Sequence, residues 1–473
     1  MGATDGRQAD ATRIGRGDPE RVGTASRRGP AWRHGQPHGA TPHRPRDADR
    51  PVPRPGRVRI AASLGAMALV LAACGGGGGG VAPAASVAPA PGAAAPPPAP
   101  APSPPAASPG DGVEQEKALL QRVDAIMAPA FAQTPADLEQ CVGGVAVVVT
   151  PTRALVRGYG ATVLGGTTTP DGTTLFQIGS ISKAFTGIAM ARLVEEGAFG
   201  PDTSVGALLG ADLRDAAASW PTLGALISHH GGLPELPANL VDRDGDGRPD
   251  AGIDPRSPGT GYARADLRSA LQGWRAPVSA GYRYSNLGIG LVAVGLQDHL
   301  GLGGHHATMR RLVTDALGMR DTWGEVDAIP PAALERLATG HVVDGTRRVP
   351  GIVGRMGVLA GAGEIVTTGE DMLRLLRALT GREASPLAPA IARATAPLDT
   401  GPGPRQVGYA IEIDRQVAGL ERFLKGGETT GFSAYLQWSA APRAGVAVLT
   451  ACGGFRRVVE LAEALHETAR TLP

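Results

Sequence analysis

A chain of 473 residues, 42% hydrophobic and with a formal charge of only +2, has the length of about two or three ordinary domains and enough apolar residues for a large core. Its basicity is local: residues 1–59 hold 13 Arg and no Lys against 6 acidic residues, seven positive charges in net, which leaves −5 from Ile60 onward. The positive charge therefore belongs to a tail and not to a folded surface, which argues against nucleic acid as a partner.

Arg57-Val58-Arg59 leads into the apolar run Ile60–Ala73 and then Cys74. A charged start, an apolar stretch too short to span a bilayer as a helix, and small residues before a cysteine are the parts of an export signal. Leu71-Ala72-Ala73-Cys74 resembles the bacterial lipobox, whose cysteine is lipidated and becomes the first residue of the mature chain. Such signals begin close to a true start. Residues 1–57 are therefore expected to be a mis-assigned or disordered basic extension, with translation beginning at Val58, and residues 58–73 a lipoprotein signal peptide. Six glycines and an Ala/Pro-rich tract follow Cys74, so residues 74–112 read as a tether. The expected location is the cell envelope, anchored in the membrane by lipid. Gly75 stands where an aspartate would mark inner-membrane retention, which favours the periplasm-facing outer membrane.

Residues 113–473 read as one catalytic domain without an obvious repeat. Glu114–Phe131 carries Ala, Leu and Val at helical spacing. Val142–Thr150 and Gly445–Thr450 read as buried strands, with Cys141 before the first and Cys452 after the second. If the two strands pair antiparallel the cysteines meet at one end. An exported domain permits the disulfide, and two buried free thiols are the alternative.

After a second strand at Ala154–Tyr159, Thr174–Ile178 leads to Ser180, which opens a helical run through Glu196 closed by Gly197. Ser180 and Lys183, three residues apart, share a helix face, and a deprotonated amine there can serve as the base that activates the hydroxyl. A plain helix start, with Ser180 as a cap and Lys183 in solvent, is the competing reading. At a helix start a nucleophile also has its own N–H close by to donate to a developing oxyanion.

Thr222–Pro234 reads as a short helix ending at glycine. His229 and His230 lack partners at metal-ligand spacing and read as a polar helix end before a turn. Asp242, Asp244, Asp246 and Asp250 reproduce positions 1, 3, 5 and 9 of a calcium loop with Gly247 at 6; position 12 is Ile253, so an ion here is expected to stabilise the loop and not to take part in catalysis. Tyr284-Ser285-Asn286 enters an apolar helix, Leu287–Leu296, and a tyrosine beside two ammonium groups is expected to have its phenolate favoured. Lys425-Gly426-Gly427, at the end of a strand, offers an exposed backbone edge beside a cation, able to pair with an extended acyl substrate and to attract its carboxylate.

Ser180-x-x-Lys183, Tyr284-x-Asn286 and Lys425-Gly-Gly427, in that order, resemble the serine β-lactamase and penicillin-binding protein superfamily, in its class C-like branch, which also holds D-alanyl-D-alanine carboxypeptidases and esterases. Phe176–Lys183 matches the class C signature except that Gln177 replaces glutamate; Ser228–Pro234 and Leu317–Met319 also look like that branch. The resemblance covers roughly residues 115–470. It implies an α+β fold, an antiparallel sheet flanked by helices and joined to a mostly helical subdomain, with the site between them. It further implies that Ser180 is acylated, that Lys183 is base or proton partner, and that Tyr284 shuttles the proton. Asn286 would orient Lys183 and the substrate amide, Lys425 would steer the substrate carboxylate, and the N–H groups of Ser180 and Glu428 beside Gly427 would form the oxyanion hole. No cofactor is implied for catalysis, and the substrate is a small molecule or a peptidoglycan peptide.

Gly426 replaces the family's threonine, whose hydroxyl contacts that carboxylate; a bond of that kind is worth about 1.5–3 kcal/mol, and Thr429 and Thr430 are the nearby substitutes. The expected function is thus a cell-envelope hydrolase of β-lactams or D-Ala-D-Ala peptides. The alternatives are a carboxylic ester hydrolase on the same fold and a non-enzymatic penicillin- or peptidoglycan-binding lipoprotein. No Gly-x-Ser-x-Gly occurs, which disfavours an α/β-hydrolase. N-terminal peptide analysis of the precursor is expected to recover nothing from residues 1–55; one such peptide removes the Val58 start.

Overall fold

The run Gly143–Val149 has no polar alternation, so a strand there must be covered on both faces. The computed structural model describes residues 109–131, 138, 140–278, 280–398 and 405–472, and it places this run inside a seven-stranded antiparallel sheet. In chain order the strands are β1 (Gly143–Val149), β2 (Ala154–Gly160), β3 (Leu175–Gln177), β4 (His341–Asp344), β5 (Arg347–Pro350), β6 (Val366–Thr368), β7 (Arg405–Val407), β8 (Glu412–Asp414), β9 (Arg422–Thr429), β10 (Phe432–Ser439) and β11 (Ala444–Thr450). The large sheet runs β2-β1-β11-β10-β9-β8-β7, while β3–β6 and β4–β5 pair separately. The basic extension, the signal peptide, Cys74 and the tether as far as residue 108 lie outside the described residues.

Side chains of β1 divide between two cores with period two. Val145, Val147 and Val149 join the core containing Phe185 and Ile188 of helix α2 (Ser182–Glu195) and Leu375 of the Gly369–Leu379 helix. Ala146 and Val148 face the other way, among Leu119 and Val123 of helix α1 (Pro109–Met127) and Leu461 and Leu465 of the Phe455–Thr471 helix. That last helix buries Val458, Leu461, Ala462, Leu465 and Ala469, the spacing of a single stripe, as expected for a surface cover. The Asn286–Leu300 helix is different: every residue from Asn286 to Leu296 is buried, so it runs through the core.

The segment between α2 and the Asn286–Leu300 helix is helical only in pieces. Ala211–Arg214, Leu223–Ile227 and Arg264–Ala270 span 4, 5 and 7 residues, and Gly-, Pro- and Asp-rich loops join them. α1 starts at Pro109, inside the stretch read as tether; proline suits the first turn of a helix, where its missing N–H would be unpaired in any case. No helix among the described residues is long and apolar enough to cross a membrane.

β1 and β11 pair antiparallel with Gly144 opposite Thr450, which carries Cys141 and Cys452 to the same end of the sheet. A disulfide joins them across a Cα–Cα distance of 5.2 Å and closes a loop of 311 residues. A thiol assay on denatured, unreduced protein is expected to find no reactive group from this pair, and Cys141→Ser to lower unfolding free energy by about 2–5 kcal/mol.

Candidate active site

Ser180 is placed by a sharp exit from β3. Ile178 N–H donates to the Ile365 carbonyl oxygen, Gly179 turns at φ +52°, and Gly179–Ile181 forms a 3-10 turn before α2. Ser180 thus sits one turn ahead of the α-helix, tighter than a helix N-terminus. A strap from Gly354 to Ile365 holds this turn down. Ser182 Oγ donates to Gly179 O (2.7 Å) and accepts from Ile365 N (3.0 Å), and Thr186 Oγ1 donates to Gly361 O (2.9 Å). The Gln177 carboxamide both donates to Gly354 O (2.6 Å) and accepts from Gly354 N (2.9 Å). A glutamate could only accept, which accounts for glutamine at this position.

Two side chains meet at the Ser180 hydroxyl. Lys183 Nζ donates to Ser180 Oγ at 2.9 Å and to Ala362 O at 2.5 Å, and Tyr284 Oη donates to Ser180 Oγ at 2.8 Å. Lys183 is 0% exposed, so the reading of a solvated lysine beside a cap is excluded. Loss of hydration pushes its ammonium well below the ordinary lysine range, the Lys425 charge pushes the same way, and Glu235 opposes. The amine form is therefore reached at lower pH than for an ordinary lysine, and in that form Nζ, 2.9 Å from Ser180 Oγ, is within reach of the serine proton.

Tyr284 moves in the opposite direction. Burial raises its phenol above the ordinary value; the Ser180 hydrogen bond opposes this, while Glu412, Tyr282 and Glu235 add to it. The expected phenolate is therefore overturned. Lys183 Nζ and Lys425 Nζ do lie 4.9 and 5.4 Å from the ring centroid. But Lys183 is held toward its neutral form and Lys425 is paired with Glu412, so neither offsets burial.

The strand β9 supplies the opposite wall. β8 covers its edge only from Arg422 to Leu424, leaving Lys425–Thr429 open beside the Ser180 turn. A β-carbon at Gly427 would lie 1.9 Å from Ile178 O and 2.8 Å from Ser180 N, and one at Gly179 would lie 2.6 Å from Glu428 N. Only glycines permit this approach, and it brings the amides of Ser180 and Glu428 to one crevice. Gly426 points to the other face, where a β-carbon would strike the Phe455 ring at 2.2 Å. Lys425, 3% exposed, pairs through Nζ with Glu412 Oε1 at 3.3 Å. Thr430 Oγ1 donates to Arg256 O (2.7 Å), whereas Thr429 Oγ1 is buried with no hydrogen-bond partner among the described residues.

Asn286 begins its helix next to the site and is buried, yet no hydrogen bond joins it to Lys183; Ala362 O takes the place expected of its carboxamide. His229 is the residue that sequence reasoning set aside. It is buried, adopts a left-handed φ of +66°, and lies 4.6 Å from the Tyr284 ring. Its Nδ1 accepts the Ser285 N–H at 3.2 Å, and burial, followed by Lys425, Lys183 and His230, lowers its pKa well below the ordinary value, so the ring is neutral. The histidine, and not a glycine, makes the turn that ends the Leu223–Ile227 helix; its neighbours are remote in sequence and could not be read from it. The loop Asp242–Asp250 lies apart in the chain from these groups. Asp242, Asp244 and Asp250 each bring an oxygen within 4.8 Å of the others, while Asp246 accepts the Arg248 N–H and stands outside the group.

A family model described as Beta-lactamase matches residues 119–470. Comparison with curated proteins returns no match. Among solved structures the fold is similar to a class C β-lactamase from Rhodobacter sphaeroides, with TM-score 0.58 and 21% identity over 74% of this chain and 99% of that one. It is similar to a β-lactamase/D-alanine carboxypeptidase from Pseudomonas syringae, with TM-score 0.61 and 18% identity over 75% and 99%. It is also similar to a D-alanine carboxypeptidase from Burkholderia cenocepacia, with TM-score 0.60 and 22% identity over 75% and 99%.

The site predicts a specific pH profile. A lysine base must be neutral, so kcat/KM should rise with pH through the Lys183 pKa, and burial places that limb well below the ordinary value of about 10.4. Lys183→Met and Tyr284→Phe are each expected to lower kcat/KM by roughly 10²–10⁴. An acid limb that stays put in Lys183→Met would reassign the base.

Proposed function

The chain belongs to the beta-lactamase family, and on that premise we propose that this serine hydrolase acts in the cell envelope through an acyl-enzyme formed on Ser180. The observation that carries the reading is the double contact on Ser180 Oγ, from Lys183 Nζ at 2.9 Å and Tyr284 Oη at 2.8 Å. A pure binding protein has no need of a desolvated lysine against a hydroxyl, so the non-enzymatic alternative is set aside.

In the reaction, Ser180 Oγ attacks the acyl carbonyl carbon as Lys183 Nζ takes its proton. The oxyanion settles against the Ser180 and Glu428 amides, and Tyr284, held as a phenol, donates toward the leaving group and is reprotonated from Lys183. Water then enters by the reverse path and releases the acid. The substrate's extended backbone lies along the open edge of β9. Amide-like donors such as β-lactams and D-Ala-D-Ala peptides fit this scheme, in keeping with the named activities of the structural neighbours. A second reading, an ester hydrolase, is favoured by Gly426, because the Phe455 ring fills the space in which a family threonine would begin.

The envelope location rests on the lipobox-like Leu71–Cys74 and the tether that follows. A structural calcium ion on Asp242, Asp244 and Asp250 belongs to the same reading and has no part in the chemistry.

Incubation with benzylpenicillin or with an activated p-nitrophenyl ester, followed by peptide mass analysis, is expected to place the acyl group on Ser180. Rapid loss of a penicillin adduct marks a β-lactamase, a persistent one a penicillin-binding protein, and ester turnover without an adduct an esterase. Full activity of Ser180→Ala in every assay would sink the mechanism.

A further inference from the structure

The cation expected to receive a substrate carboxylate is already occupied. Lys425 Nζ, on a side chain 3% exposed, lies 3.3 Å from Glu412 Oε1, and Glu412 itself is one-third exposed. Its other close neighbour is the Tyr284 ring, 5.4 Å from the ammonium to the centroid. An incoming carboxylate would have to displace Glu412 or lie beside a like charge, and like charges held together in a cleft disfavour binding strongly. The residue next to Lys425 adds no attraction of its own. Gly426 has no hydroxyl, and no side chain can grow there without moving Phe455, whose Cζ stands 2.2 Å from the site of a β-carbon. Glu235 also lies close enough to influence Lys183 and Tyr284.

A neutral group is better provided for. Thr429 stands two residues beyond Gly427 and so on the same face of β9 as Gly427 and Lys425. Its Oγ1 is buried with no partner among the described residues. A buried hydroxyl without a partner is costly to leave so, and an uncharged carbonyl or ether oxygen of a bound acyl donor satisfies it without bringing charge.

We propose that Glu412 is a specificity-determining residue: its carboxylate stands in for the substrate carboxylate at Lys425, so the cleft selects uncharged carboxylic esters or amides over acyl donors that carry a carboxylate beside the scissile bond. The proposal rests on the reading of Ser180 as the acylated nucleophile. It narrows the substrate class, placing β-lactams and free D-alanyl carboxylates among the poorer donors. Glu412 acts on the substrate through Lys425, also helps to raise the Tyr284 phenol, and is assigned no part in bond making or breaking.

The test is a matched pair of esters with one acyl group, a phenyl ester and its meta-carboxyphenyl counterpart, assayed with the full-length protein. Wild type should favour the uncharged ester in kcat/KM by about tenfold or more, one unit of discrimination on the logarithmic scale. Glu412→Gln should narrow that ratio by about tenfold, chiefly through KM of the carboxylated ester, and Glu412→Asp should restore part of it. Equal or reversed preference in wild type overturns the proposal without recourse to a variant. So does a ratio that stays within about twofold in a folded Glu412→Gln protein. The two levels separate cleanly. Turnover of neither ester, or turnover that survives Ser180→Ala, removes the acyl-serine reading and this inference with it. Ser180-dependent turnover with an unmoved ratio removes the role of Glu412 alone.

Discussion

Everything at the site follows from burying Lys183. An ammonium taken from water into a protein interior costs several kcal/mol unless it is paired or sheds its proton. Here no carboxylate among the described residues bonds it: the Nζ partners are a hydroxyl and the Ala362 carbonyl oxygen. Burial therefore favours loss of the proton, and a lysine without it is suited to the part of base proposed for it beside Ser180. The same arrangement demands that Ala362 O be held still. Gln177, Ser182 and Thr186 all bind the Gly354–Ile365 strap, so the polar residues around the nucleophile serve the loop that positions the lysine.

The second wall of the cleft is governed by steric limits. β9 stays open at its edge because β8 ends opposite Leu424, and it approaches the Ser180 turn closely because Gly427 and Gly179 lack β-carbons. Two backbone amides are thereby gathered without any side chain. On the same strand, the charge of Lys425 is spent on Glu412, and a lysine whose partner is supplied by its own fold differs from one that awaits a ligand. At about 5 Å a full charge is worth roughly 3 kcal/mol at an effective dielectric of about 20, so whether Lys425 presents a net charge matters to the ring beside it as well as to the substrate. Burial is what chiefly raises the Tyr284 phenol, and Glu412 adds to it.

His229 supports Tyr284 from beneath. The neutral ring, 4.6 Å away and receiving the Ser285 N–H, fixes the entry to the Asn286–Leu300 helix and with it the direction of the phenol. Asn286, expected to orient the lysine, forms no such bond, because the strap carbonyl reaches Lys183 first.

The chain's own patterns determined a good deal. Unbroken valine runs imply strands buried on both faces, since apolar side chains alternate between two sides that must both be dry. Ser180 and Lys183 at a spacing of three must share a face, because that is the geometry of a helical turn. Cysteines flanking two strands meet if those strands pair, and they do. Local rules decide such features, and local rules can be read from sequence. Glu412, Ala362, Thr429 and His229 carry no comparable signal. Ala362 and His229 owe their places to partners far off in the chain, Lys183 at 179 residues and Ser285 at 56, while Glu412 meets Lys425 through the pairing of β8 with β9. Protonation states were likewise beyond the sequence. The same lysine is a cation in water and a base in a dry pocket, and only packing in three dimensions removes the water.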